Sequence, residues 1–300
     1  MERWSWGMGQ PVHIQAFVDD EARGMEAIAA ALSEFRDVEA QLSLFDDASD
    51  LCELNRSAGR GSIRAGAHLR NVLDLVAGAR VQTRGAFDAA VEPLMRAWGF
   101  HAPRAAPPDE RTLAEARAAV RAASVRLSGD RVTLDGTESR LDLGGVGVGY
   151  GLDRMAAVLR ARGVTSALLD VSGDLMAIGA PPGDRGWRIE LVDPDRAHAL
   201  PGAPVVLRDS ALATSANTME TVRFGATVVG HVLDPHDGRA AHVLRQVTVV
   251  ARRAVDADML STAALVGGHA VVASSDARVV QAWRARARAV SDRPAGATAP

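Results

Sequence analysis

Three short stretches concentrate side chains able to do chemistry. DADMLSTA holds Asp258 and Thr262 at i and i+4, so one helix face would carry a carboxylate and a hydroxyl together. Two hard oxygens so placed suit magnesium, which takes few protein ligands and completes its shell with phosphate and water. A plainer use is open too: Asp256 or Asp258 caps the helix and Thr262 bonds back into it. GHVLDPHDGR holds His231 at the end of an apolar run, where an imidazole could act as general base near neutral pH. With Asp234 and His236 it could instead ligate a metal, or it could be an ordinary strand-end histidine before a turn. DVSGD puts Asp174 just past an apolar strand, where α/β proteins hold ligand-binding acids, or where a chain simply turns.

A fourth stretch, LDLGGVGVGY, is backbone chemistry. Asp142 is followed by Gly144, Gly145, Gly147 and Gly149, and Leu152, Met155, Ala156 and Leu159 then repeat at helical spacing. Unobstructed N–H groups at a helix start favour phosphate. Two phosphate motifs are excluded. The Walker pattern needs a lysine and this chain has none, all 34 basic residues being arginine. The dinucleotide fingerprint needs G-x-G-x-x-G, which no choice of these glycines yields. Asp170 lies about where a ribose-binding acid would sit, which keeps a Rossmann-type NAD oxidoreductase as an outside reading. The glycines could equally be there for packing.

The elements that must position these groups read as mixed α/β. With 300 residues, 47% hydrophobic, the chain is large enough for one big domain or two intimate subdomains. A long amphipathic helix carries Met25, Ile28, Leu32, Phe35 and Val38. Asp50 reads as the cap of a short turn with Leu51 and Leu54, and a second helix carries Leu69, Val72, Leu73 and Val76. A Pro-rich link, Ala102–Pro108, precedes a helix around Leu113–Val120. Val125–Leu127 and Val132–Leu134 flank a Gly129-Asp130 turn, a hairpin signal. A short apolar segment lies at Val12–Val18; strands are expected at Ala167–Val171, Trp187–Val192, Val205–Leu207 and Val247–Val250, and a last helix at about Ala257–Val266. Irregular alternation of strands and helices points to α/β (α+β mixed) rather than regular βαβ units.

A net charge of −3 and 4% aromatics argue against nucleic acid as partner. Arg284, Arg286 and Arg288 read as a solvated helix face, and residues 286–300 as a disordered tail after a domain spanning 1–285. Cys52 is alone, which gives no internal disulfide or cysteine metal site. No apolar run reaches membrane-spanning length, and MERWSWGMGQPV has neither a signal-peptide apolar region nor a lipobox cysteine. The expectation is a cytoplasmic protein without membrane insertion.

Nine segments in order resemble the ApbE-type FAD:protein FMN transferase family. They are Met8-Gly9, FDDASDLCELN (Phe45–Asn55), GAFDAAVEPL (Gly85–Leu94), WGF (Trp98–Phe100), DLGGVGVGYGLD (Asp142–Asp153), DVSGD (Asp170–Asp174), ATS (Ala213–Ser215), HVLDPHDG (His231–Gly238) and DMLST (Asp258–Thr262). Each is weak alone; the order makes an accident improbable.

The resemblance implies a T-fold-like single domain that binds FAD and magnesium. It implies cleavage of the FAD pyrophosphate, attachment of FMN through a phosphoester to a threonine or serine of an acceptor protein, and release of AMP. By similarity, Met8, Ala86, Phe87, Asp88, Asp142, Val148 and Val232 contact FAD. Asp258, Thr262 and a backbone oxygen near Gly145 hold magnesium, with Ser261 adjacent. His231 takes the acceptor proton, and Asp174 stands near the flavin phosphate. A pyrophosphate facing a lysine-free pocket would need such a cation. The chain departs from the family at Val148, where a charged residue is usual, at Ala89, Ala90 and Glu92 after Asp88, at Gln10 and at Ala216. The alternatives are an FAD-binding protein, or an FAD pyrophosphatase of the same fold, with little transfer activity.

Overall fold

The computed structural model describes residues 1–192, 204–218, 220–273 and 275–284. The expected tail at 286–300 lies outside the described residues.

Strands β1 (Glu2–Gly7) and β2 (Gln10–Ala16) form a hairpin closed by Met8 and Gly9, both at positive φ (52° and 70°). Such a turn matches the twist of the flanking strands. Helix α1 (Glu21–Leu42) follows, capped by Asp20. Helix α2 (Asp50–Ser57) is capped by Ser49, which accepts from the Cys52 N–H. The expected cap, Asp50, is instead the first helical residue, and its carboxylate accepts from the Gly66 N–H at 2.6 Å. Then come β3 (Ser62–Arg64), α3 (Ala67–Gln82), α4 (Glu92–Trp98), α5 (Glu110–Ala122), β4 (Ser124–Ser128) and β5 (Arg131–Asp135). Strands β4 and β5 are the predicted hairpin, and β3 joins it as a third strand.

Helix α6 (Gly147–Ala161) begins in the glycine run. After it come β6 (Ala167–Val171), β7 (Asp174–Ile178), β8 (Trp187–Ile189), β9 (Val205–Leu207), β10 (Ala211–Ala216), β11 (Thr221–Phe224), β12 (Thr227–Gly230), β13 (Leu244–Ala251), α7 (Ala254–Gly267) and β14 (Arg278–Arg284). Arg284 thus ends a strand rather than lying on a helix; positions 286 and 288 lie outside the described residues. Seven strands form one sheet in the order β1-β2-β6-β7-β10-β13-β14, every neighbouring pair antiparallel. A dinucleotide-binding sheet is parallel, so the Rossmann reading fails on strand direction.

Strand β7 shows how the sheet is covered. Met176 and Ile178 face a cluster with α1 and α6 (Ile28, Phe35, Leu152, Met155), while Leu175 and Ala177 face a smaller one with Trp187 and Leu207. A further cluster joins α2 to α5 and the small sheet to α7 through Met259, Leu260 and Ala263. Helix α7 is therefore apolar on nearly every side, as a helix enclosed by protein must be. Two polar side chains buried in it, Asp258 (6% exposed) and Ser261 (1%), call for an explanation.

Candidate active site

The glycine run divides its labour. A side-chain carbon at Gly149 would lie 2.6 Å from the Ala254 carbonyl oxygen, and one at Gly151 would lie 2.4 Å from the Phe35 ring. These two glycines let α6 cross α7 and α1 closely, so the packing reading holds for them. Gly145 is different. Its open side faces the Phe87 ring and the Thr262 hydroxyl, both 3.4 Å from where a side-chain carbon would stand. Met8 Sδ lies 3.8 Å from the corresponding point at Gly147.

The motifs are tied to one another by hydrogen bonds across long stretches of chain. Asn55 donates to the Leu141 carbonyl (2.9 Å) and accepts from the Leu141 N–H (2.7 Å). The Asp142 N–H donates to the Ala89 carbonyl at 2.7 Å. Trp98 Nε1 donates to the Gly238 carbonyl at 2.7 Å, and His236 bridges Asp234 and the Arg84 carbonyl. Asn217 accepts from the Val232 N–H and donates to the Val232 and Ala241 carbonyls, which fixes the segment behind His231. His231 follows β12 directly, and its Nδ1 is buried with no hydrogen-bond partner among the described residues.

Helix α7 does not take the plain reading of its polar residues. Its first N–H groups, at Ala254 and Val255, are accepted by the Asp153 carboxylate of α6 at 2.8 and 3.1 Å. Asp256 pairs with Arg253. Asp258 caps nothing in its own helix; its Oδ2 accepts from the Gly149 N–H at 3.0 Å. Thr262 Oγ1 meets Ser215 Oγ on β10 at 3.0 Å, and back-bonding within the helix falls to Ser261, which donates to the Asp258 carbonyl.

Asp174 opens β7 after a two-residue turn, Ser172-Gly173, with both φ angles positive. It accepts from the Thr214 N–H at 3.0 Å. Burial, and then the Asp258 carboxylate nearby, raise its pKa well above the ordinary value. Burial pushes Asp258 up to about 7 against the opposing Gly149 N–H. Among the described residues neither acid is paired with an arginine or histidine. A hard cation would supply what these acids lack.

On the other side of the loop, Asp142 accepts from the Gly144 N–H (2.8 Å) and lies 3.4 Å from His101 Nε2. His101 Nδ1 lies 3.7 Å from Glu92, which is 1% exposed and also paired with Arg96. Burial works to lower His101, and Glu92 and Asp142 outweigh it, so its pKa is raised. Burial works to raise Glu92, and His101 and Arg96 outweigh it, so its pKa is lowered. Asp142 is raised by burial, opposed by His101 and the Gly144 N–H, with a smaller opposing effect of His231. Asp88 holds the turn after Phe87 by accepting from the Ala90 N–H (2.9 Å) and pairs with Arg80 at 3.0 Å.

The loop therefore gathers Met8, Phe87, Asp142, Asp258, Thr262 and, through Asp258, Asp174, while Ser261 is joined to Thr262 through Ser215. Ala86 lies against Gly267 at the end of α7. Val148 is 8% exposed and packs in the apolar cluster of α1 and β2. Sequence reasoning did not find Ser215, Asn217, Asp153, Glu92 or His101 as site residues. Phe45, 86% exposed, stands edge-on to His101 with ring centroids 6.0 Å apart. Two clefts of about 500 and 590 Å3 open around Arg252 and Arg253; Asp153 lines the second, and neither is lined by Met8, Phe87, Asp142, Asp174, Asp258 or Thr262.

A family model for the ApbE family matches residues 8–281. The chain belongs to the ApbE family. It is 29% identical to an FAD:protein FMN transferase of Treponema pallidum over 262 residues, covering 81% of this chain and 72% of that one. It is likewise 29% identical to an FAD:protein FMN transferase of Klebsiella pneumoniae, covering 83% and 73%. Among solved structures, the apo flavinyl transferase ApbE of Pseudomonas stutzeri superposes with a TM-score of 0.76 at 26% identity, covering 91% of this chain and 87% of that one. An ApbE protein of Thermotoga maritima gives 0.81 at 23% identity, covering 95% and 97%, and shares the fold.

Proposed function

We propose that this ApbE-family chain is a magnesium-dependent FAD:protein FMN transferase. The observation that carries the reading is the pair of acids, buried Asp258 and half-buried Asp174, set near a glycine loop and hydroxyls and paired, among the described residues, with no arginine or histidine. Among the described residues no three His, Cys, Asp or Glu side chains converge as an all-protein metal cage. One carboxylate, one hydroxyl and a main-chain oxygen instead suit magnesium, which keeps positions for phosphate and water. Asp258, Thr262 and the Gly145 carbonyl would hold it, with Ser261 adjacent. When bound, it neutralises charge on the pyrophosphate.

The chain's own groups do the rest. Met8, Ala86, Phe87, Asp88, Asp142, Val148 and Val232 line the FAD path, Val148 by apolar contact. His231 takes the proton of an acceptor threonine or serine hydroxyl. That oxygen forms a bond to the FMN phosphorus, the anhydride P–O bond breaks, and AMP leaves. Asp174 stands beside the flavin phosphate. The acceptor is a protein with a flavinylation threonine or serine. Among the described residues no helix is long and apolar enough to cross a membrane; a cytoplasmic site of action remains part of the proposal.

The test is to incubate the protein with FAD, magnesium and a threonine-bearing acceptor domain. Flavin fluorescence that stays with the acceptor on a denaturing gel, with AMP in solution, supports transfer. Free FMN with AMP would mean hydrolysis, and intact FAD would mean storage.

A further inference from the structure

A hydroxyl has one proton to give, and a carbonyl oxygen has none. Ser261 Oγ lies 2.9 Å from the Asp258 carbonyl oxygen and 2.6 Å from Ser215 Oγ. Ser215 Oγ lies 3.0 Å from Thr262 Oγ1. Three hydroxyls and one carbonyl thus form an open chain with a single fixed end. If Ser261 gives its proton to the carbonyl, it can only accept from Ser215. Ser215 can then only accept from Thr262. Every proton in the chain has an acceptor, and the lone pairs of Thr262 Oγ1 are left free. The reverse order would leave Thr262 accepting from Ser215, with its own proton seeking another partner. Among the described residues Ser215 Oγ is the one hydrogen-bond partner of Thr262 Oγ1.

We propose that Ser215 is a positioning residue of the cation site, orienting the Thr262 hydroxyl so that its oxygen, not its proton, faces the metal. This rests on the magnesium reading given above. Ser215 is well placed for the task. It sits in register opposite Val247 near the end of β10, a strand paired on both edges. The preceding N–H, of Thr214, holds Asp174. Adjacent residues of β10 therefore hold both the Thr262 hydroxyl and the Asp174 carboxylate. The relay runs through Ser261, which accounts for that residue's burial in an apolar helix: it carries the proton order to a main-chain acceptor rather than ligating the metal.

The test measures metal binding directly. Mn2+ would be titrated into the full chain with FAD present and no acceptor, counting free metal by electron paramagnetic resonance. The variants are Ser215→Ala, which removes the acceptor, Ser215→Thr, which keeps an Oγ, and Asp258→Asn, which removes the proposed ligand. Loss of a group that orients a metal ligand costs about ten- to a hundredfold in metal affinity. Ser215→Ala is expected to weaken Mn2+ by that amount while melting cooperatively without metal, and Ser215→Thr to restore most of it. If Ser215→Ala binds as wild type while Asp258→Asn does not, the relay is wrong and the metal site stands. If Ser215→Thr is as weak as the alanine variant, packing rather than the hydroxyl matters, and the relay is overturned. If wild type and Asp258→Asn bind alike, the metal reading fails and takes the relay with it.

Discussion

Two acid clusters flank the glycine loop, and they differ in where their counter-charge comes from. Glu92 and Asp142 hold His101 between them, and Arg96 closes on Glu92. That cluster is neutralised by the chain itself. Asp174 and Asp258 have main-chain N–H groups and each other and, among the described residues, no protein cation. Burying a charge without a partner is expensive, and a protein that does so usually titrates the group or binds an ion. The first cluster is built to hold its shape alone. The second, in the function proposed above, is completed by a cation.

The largest expected effects lie in the incomplete cluster and at His231. Asp258→Asn should lower transfer at saturating FAD by more than about a hundredfold, since a metal's charge stabilisation is worth several kcal/mol. The check is the FMN-transfer rate as a function of magnesium, where rescue at moderate concentrations would count against a ligand role. His231→Ala should lower transfer by about a hundred- to ten-thousandfold, as for a positioned base, with FAD affinity kept. Fluorescence titration of FAD beside a transfer assay separates the two. Equal loss of binding and turnover would place His231 with the ligand contacts.

In the self-neutralised cluster the effects should be on stability. Glu92→Gln removes charge from a buried, charge-assisted pair, a change worth about 1.5–3 kcal/mol. The His101 pKa should fall at the same time, which imidazole NMR would report; an unmoved His101 would mean that Asp142 alone sets it. Smaller again is the effect of Val148→Lys. The family resemblance suggests a charged contact at this position, but Val148 lies in an apolar cluster with Val12 and Phe35. A lysine there should cost roughly 1–3 kcal/mol of stability. Denaturant melts with and without FAD would show it, and a variant that melts like wild type would mean that the side chain escapes toward the ligand.

Much of the site was legible because its motifs are local. Asp258 and Thr262 share a helix face by spacing alone, and Gly129-Asp130 announces its hairpin. What closes the site is not local. Ser215 reaches Thr262 across 47 positions and Asn55 reaches Leu141 across 86. Strand β10, ALATSA, has little β-branched character and is a strand because both its edges are paired. Glu92 and His101 follow no spacing rule, and their roles exist only once α4 stands beside the glycine loop. Strand direction, which removed the dinucleotide-binding reading, is likewise absent from any single stretch of sequence.

The contrast between the clusters is tested most directly by the pH dependence of melting, with and without magnesium and FAD. Asp258 is raised from 3.8 to about 7 in the folded protein. The native state therefore holds a proton that the unfolded chain has lost, so metal-free stability should fall as pH climbs between those values, on the order of a few kcal/mol. Asp174 and Asp142, also raised, act in the same sense. Glu92 acts in the opposite sense, losing its contribution as pH falls through its lowered pKa, and His101 loses its own as pH rises through its raised one. Magnesium with FAD should stabilise the protein more at pH 8 than at pH 5.5 and flatten the decline, and Asp258→Asn should abolish that difference. A decline that magnesium and FAD leave unchanged, or one removed by Glu92→Gln but not by Asp258→Asn, would contradict the assignment of the cation to the Asp258 cluster.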